Sequence, residues 1–255
     1  MGFYDFTKEE RNKLVEKINS NILSDIHENK VGFISEYFSD EDTYIRKAAY
    51  QAIGKIYFAN NELQNKILSL FKKLLMENEP RIRQSIINAA GEIGIKEFET
   101  AEQFFDQGLF DEHHSVRNAV IGSLKKVGER NPVPVLKYAR KYLHHPDEEV
   151  RREICHGIEL RGRKYPLDVL PLLKELQHDQ TARVRNTVIH VLGQIAYEQG
   201  CLETVVADLN HWENKELVEE ALEEIVEVHG RYKNFAAFTQ KQAADYIGKH
   251  YIKNR

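Results

Sequence analysis

Apolar and small side chains recur along this chain at 0, +3, +4, +7, +8 and +11 from a series of β-branched residues, each followed by arginine. The dipeptides are Ile45-Arg46, Ile82-Arg83, Val116-Arg117, Val150-Arg151 and Val184-Arg185, at intervals of 37, 34, 34 and 34 residues. A further step of 34 reaches Val218, where Glu219 replaces the arginine. One copy reads Val184, Thr187, Val188, Val191, Leu192 and Ile195; another reads Val116, Ala119, Val120, Ser123, Leu124 and Val127. Such spacing lays a wide apolar stripe along a helix of about 3.6 residues per turn. The small members let a neighbouring helix approach closely. Self-similarity at this period predicts a stacked repeat array.

A shorter apolar helix precedes each of these, as at Val135–Leu143, Val169–Leu176 and Leu202–Leu209. Pro132, Pro146 and Pro166 stand where a helix can begin but not continue. Asp42, Asp147 and Glu148 place negative charge at the start of the second helices. Each repeat therefore reads as helix, turn, helix. Thr7 and Glu10 have capping-box spacing and predict a first helix over 7–20, with Phe3, Tyr4 and Phe6 plugging the end of the array. A last helix is predicted over Gln240–Lys253.

The segments Asp147-Glu148-Glu149-Val150-Arg151-Arg152-Glu153-Ile154 and Asp42-Thr43-Tyr44-Ile45-Arg46-Lys47-Ala48-Ala49 resemble the second helix of a HEAT repeat. The resemblance covers roughly residues 29–232. It implies an all-α, right-handed α-solenoid of about six helical hairpins with terminal capping helices. It also implies that the repeated arginines bond to an aspartate or a turn carbonyl of an adjacent repeat. The expected organisation is one domain over 1–255, with a cap at 1–28, six repeats over 29–232 and a capping helix over 233–255.

Asp147–Gly200 is in addition similar to the HEAT-like alkylpurine DNA glycosylases. The run Arg185-Asn186-Thr187-Val188-Ile189-His190-Val191-Leu192-Gly193-Gln194-Ile195 is similar to the family's helix with a DNA-facing tryptophan, and His190 takes that tryptophan's place. The closing helix, with Ala243, Ala244, Tyr246, Ile247, His250 and Tyr251, is also similar. The family's catalytic tryptophans and aspartate have no counterpart here. The one tryptophan, Trp212, falls in the first helix of repeat six, and no Trp-rich motif has an aspartate a turn away. No catalytic residue is assigned.

Composition narrows the class. The chain has 255 residues, 42% hydrophobic and 30% charged, as a soluble helical protein does. No run of about 18 apolar residues predicts a membrane span, and residues 1–12 lack the apolar stretch of a signal peptide. Cys155 and Cys201 fall in different repeats and make no disulfide framework, which leads us to expect a cytoplasmic protein. The net charge of −4 is unevenly spread. Residues 112–195 hold 15 basic and 10 acidic side chains, and residues 196–232 hold 2 and 10. A positive region in repeats four and five points to a charged partner or to ordinary surface variation.

Second helices line the concave face in such arrays. Positions +2 and +6 share one side of each: Lys47 and Gln51, Gln84 and Asn88, Asn118 and Gly122, Arg152 and His156, Asn186 and His190, Glu220 and Glu224. This column is polar and favours a polar or charged ligand. Arg46, Arg83, Arg117, Arg151 and Arg185 read as a structural ladder; Arg152, Arg163 and Lys164, outside that period, read as partner contacts. The candidate ligand- or nucleic-acid-binding residues are Arg152, His156, Arg163, Lys164, Asn186, His190 and Asn118. Tyr138, Tyr142, Tyr165, Tyr197 and Glu159 supply aromatic and acidic groups that could converge on the groove. His113-His114 and His144-His145 lack metal-ligand spacing, and Gly91-Glu92-Ile93-Gly94 lacks the ending of a phosphate loop, so no metal or cofactor is expected. The leading expectation is a monomeric, non-catalytic scaffold that binds a protein or a nucleic-acid backbone on its concave face. The alternative is a DNA-binding alkylation-repair protein of the glycosylase type.

Overall fold

The Thr7 hydroxyl and the Glu10 carboxylate cap one another's backbone amides at 3.3 and 2.8 Å and start α1 (Lys8–Glu28). In this computed structural model, which describes residues 2–252, α1 outruns its expected span by two turns. Ile18, Ile22 and Ile26 continue a buried i, i+4 stripe through the polar stretch that hides it in the sequence. Asn29 ends the helix in the left-handed region at φ 55°, which asparagine tolerates. Of the three aromatic residues expected to plug the end of the array, Phe3 and Phe6 are half-buried and Tyr4 is not buried. Tyr4 is 62% exposed, and its ring meets Tyr44 edge-on, with centroids 4.5 Å apart.

The expected hairpins follow in order: α2 (Gly32–Ser39) with α3 (Thr43–Ala59), α4 (Gln64–Leu74) with α5 (Pro80–Gly94), and α6 (Phe98–Leu109) with α7 (His114–Arg130). Next come α8 (Pro132–Tyr142) with α9 (Glu148–Gly157) and α10 (Glu159–Gly162), α11 (Pro166–Glu175) with α12 (Ala182–Gln194), and α13 (Cys201–Leu209) with α14 (Lys215–Arg231). The last helix is α15 (Gln240–His250). It stops short of its expected end, where Asn210 donates to the His250 carbonyl and accepts from the Ile252 amide; Lys253 lies outside the described residues. Pro80, Pro132 and Pro166 each occupy the first turn of a helix, and the Asp42 and Asp147 carboxylates accept from amides two residues on. Trp212 is placed past the end of α13, buried, with its indole donating to Asp208 at 2.7 Å. All-α, solenoid-type stacking is thus the fold, with no strand among the described residues.

The chain divides into two compact units, Met1–Ser123 and Leu124–Arg255. Within the first, α1 packs on α3 and α3 on α5. Small residues permit close contact: Ser85 donates to the Phe38 carbonyl at 3.0 Å, and a Cβ on Gly91 would meet Ser123 Oγ at 2.6 Å. Within the second, α9, α12 and α14 form one layer, and α8, α11 and α13 form the other. Val150, Ile154, Val184, Val188, Leu192, Val218 and Ile225 are buried between them.

The repeated arginines are structural. Nη1 of Arg83, Arg117, Arg151 and Arg185 donates to the carbonyl six residues earlier, in the turn of the same hairpin, at 2.8, 2.7, 2.8 and 2.6 Å; Arg46 does likewise. Arg83 also grips Asp111 of the next hairpin through two bonds at 2.8 and 3.0 Å, and Arg151 grips Asp179 at 2.6 and 3.0 Å. The adjacent repeat thus supplies the carboxylate, whereas the carbonyls come from the arginine's own turn.

One buried histidine ties stability to pH. His229 has no solvent exposure; Nδ1 donates to the Ile225 carbonyl at 2.7 Å, while Nε2 is buried without a partner. Burial holds its pKa below the ordinary 6.5, against the smaller opposing effect of the Ile225 carbonyl. The unfolded chain therefore binds the proton more readily, so stability is complete above 6.5 and falls as the pH drops below it. Urea unfolding should show a smaller loss between pH 7.5 and 5.5 in His229→Gln than in the parent; equal losses would exclude this residue as a source.

Candidate functional site

The fourth second helix breaks. Residues that form one continuous helix in α7 and α14 are divided between α9 and α10, with Ile158 between them. Glu159 follows the break directly. It is 3% exposed and accepts from Lys125 Nζ at 2.8 Å through Oε2 and from Arg163 Nη2 at 2.6 Å through Oε1. His156 Nδ1 stands 3.6 Å from Oε2, and the His156 and His190 rings lie 5.5 Å apart. Beyond them Glu224 of α14 approaches His190 Nδ1 at 3.7 Å and Arg231 at 3.5 Å.

Electrostatics follow from this packing. Burial pushes the Glu159 carboxyl up, but His156, Lys125 and Arg163 outweigh it and hold the group well below the usual carboxylate range. Burial lowers the His190 pKa, and the nearby Glu159 and Glu224 charges only partly oppose it. Burial pushes the Arg163 pKa down, but Glu159, Tyr197 and Tyr232 together outweigh it, so the guanidinium stays charged. Arg163 also donates to Gln194 Oε1 at 3.0 Å and to the Tyr197 hydroxyl at 3.2 Å, and the Tyr197 and Tyr232 rings are 5.3 Å apart.

Of the residues expected at the site, His156, Arg163 and His190 come together around Glu159. Arg152 stands at the edge of the same helix, bonded to Glu149 at 3.0 Å and 3.6 Å from buried Glu153. Asn186 is exposed on α12, and Lys164 is exposed 3.9 Å from Glu129. Asn118 is exposed on α7 and belongs to the first unit. Glu159 and Tyr197 do converge, through Arg163. Tyr138 and Tyr142 instead pair with each other at 5.1 Å, and Tyr165 stacks beneath Arg161 at 3.7 Å.

Lys125 is the residue that the +2 and +6 column passes over. Its signal lies at position +9, which reads Gly54, Gly91, Lys125, Glu159, Gly193 and Glu227. At the glycines the next second helix approaches closely: a Cβ on Gly54 would meet Glu92 Cβ, and one on Gly193 would meet Glu224 Cγ, each at 2.6 Å. Two consecutive copies put opposite charges where three others have glycine, and those charges pair.

Among known families, a model described as HEAT repeats matches residues 136–224. No curated protein sequence matches the chain. Among solved structures, the chain is similar to AlkD2 from Streptococcus mutans, with TM-score 0.57 and 14% identity, covering 80% of this chain and 97% of that one. It is similar to smu.31 from Streptococcus mutans UA159, with TM-score 0.54, 14% identity and the same coverage. A third likeness is to the Pds5–Scc1 complex, with TM-score 0.50 and 12% identity, covering 96% of this chain but 42% of that one. At these identities the likeness is one of fold. No described helix is long and apolar enough to cross a membrane.

Proposed function

We propose that the chain is a non-catalytic, cytoplasmic HEAT-repeat binding module that acts as a single array. Its working surface is the second-helix face of hairpins four and five. The observation that supports this most is the polar cluster of Lys125, His156, Glu159, Arg163 and His190, flanked by exposed Asn186 and Lys164. A folded array needs only apolar and small residues there, as the glycines at +9 illustrate. The partner we infer is a protein with a polar, charge-bearing surface. Affinity capture with the parent and with Asn186→Asp/Lys164→Glu tests this: a partner retained by the parent and lost in the variant is the expected result, and indifferent capture would move the surface elsewhere.

The second reading is a module that holds a DNA backbone, favoured by the similarity of Asp147–Gly200 to the alkylpurine glycosylases. Several of the arginines in this region are already paired, however. Arg151 bonds Asp179, Arg161 bonds Asp168, Arg163 bonds Glu159 and Arg183 bonds Glu149. A phosphate would have to break such pairs rather than meet open cations. We therefore expect labelled duplex DNA to bind weakly in fluorescence anisotropy at low salt, with Arg152→Ala and Arg163→Ala changing affinity by less than about threefold. Tight binding with a steep salt dependence that either variant flattens would favour the DNA reading.

A further inference from the structure

The binding reading leaves one chemical property of the Glu159 cluster unused. One donor atom from each of His156, Glu159 and His190 lies within 4.8 Å of the others. His156 and Glu159 stand three residues apart in the fourth hairpin and His190 comes from the fifth, so no spacing within a single helix reveals all three as a set. We propose that His156, Glu159 and His190 form a site for a divalent transition-metal ion of the zinc class.

The donor set selects the ion. Two imidazole nitrogens and one carboxylate oxygen suit zinc, nickel or copper; magnesium and calcium favour oxygen donors. Zinc holds such atoms at about 2.0–2.2 Å, which places neighbouring donors about 3.4 Å apart. His156 Nδ1 and Glu159 Oε2 already stand at 3.6 Å. The remaining contraction falls on the imidazoles, whose side chains are 24% and 41% exposed.

The surroundings resemble those that support metal ligands. Arg163 fixes Glu159 through Oε1 and leaves Oε2 facing His156. Glu224 stands at one nitrogen of His190, the kind of carboxylate partner that sets an imidazole's tautomer and orientation in metal sites. Oε2 already stabilises a cation, the Lys125 ammonium at 2.8 Å. The ion takes that position, and the Lys125 side chain, 28% exposed, turns out to solvent. Binding is thus a competition between two cations for one carboxylate oxygen. Because three protein donors leave tetrahedral zinc one open position, water completes the shell.

The full chain, stripped with chelator, can be titrated with zinc chloride by calorimetry and with cobalt(II) by visible absorption. The parent should bind one ion whose cobalt complex shows the intense bands of low coordination. Other histidines offer weak surface binding, so comparison among variants decides the matter. His156→Ala and His190→Ala, at half-exposed positions, should each weaken this event by more than about a hundredfold, and Glu224→Gln by about tenfold. Lys125→Met should strengthen it by about tenfold, because a like charge is removed. Unchanged zinc affinity in the His156→Ala/His190→Ala double variant overturns the site, as does Lys125→Met binding no tighter than the parent. Circular dichroism of each variant separates loss of the site from loss of fold.

Discussion

Replacing Arg151 with alanine is expected to cost about 3 kcal/mol of stability and lower the melting temperature by about 6–10 °C. The guanidinium makes two bonds to Asp179 and two to the carbonyls of His145 and Pro146. Its side chain is 13% exposed and that of Asp179 6%. Alanine would leave a buried carboxylate facing no cation and two turn carbonyls without their donor. An exposed pair would be worth at most about 1 kcal/mol; a buried one that loses a single partner costs about 3–5 kcal/mol. Arg151→Lys should recover only part of the loss, because an ammonium cannot reproduce the planar fork. A cycle with Asp179→Ala measures the coupling. An unaltered melting point in Arg151→Ala would mean that the clamp contributes nothing.

The second large effect is expected at Glu159. Glu159→Ala removes the shared acceptor of Lys125 and Arg163 and leaves two cations facing a buried gap. Because those side chains remain 28% and 26% exposed and can rehydrate, we expect about 2–3 kcal/mol rather than the full cost of a buried break. Lys125→Met/Glu159→Met should be milder than Glu159→Ala, since it leaves one cation, Arg163, without its carboxylate instead of two and fills the gap with apolar volume. The pH dependence has a defined sign. Despite the upward push of burial, the folded-state pKa is depressed, so this contribution is complete above the ordinary 4.5 and is lost as the pH falls below it. Acid unfolding of the double Met variant should therefore have a shallower limb below that pH; an identical limb would separate Glu159 from acid stability.

The period and the helix starts were legible in the sequence because they are local. Thr7 with Glu10, Asp42, Asp147 and the leading prolines fix helix beginnings within a few residues of themselves. The interior of α1 was less legible, because Ile18, Ile22 and Ile26 are separated by asparagines and serines that blur the stripe. At the site, the +2 and +6 column located His156 and His190 on the same face, and Arg163 was chosen for standing outside the period. What sums them into a cluster is Glu159, and it acts at a distance of 34 residues on Lys125. Charge counting was coarse in another way: it gives the basic excess over 112–195 but does not say that Arg151, Arg161 and Arg163 are the members held by carboxylates.

The +9 column also governs how this array could have grown. Gly193 accepts a following helix at contact distance, so the hairpin that carries it suits many successors with a side chain that yields there. Lys125 and Glu159 are different. They pair with one another at 2.8 Å, and a hairpin inserted or deleted between them would break that pair and leave Glu159 to Arg163 alone among the cations that bond it. Length variation among descendants of this chain should fall at the glycine-bearing joints.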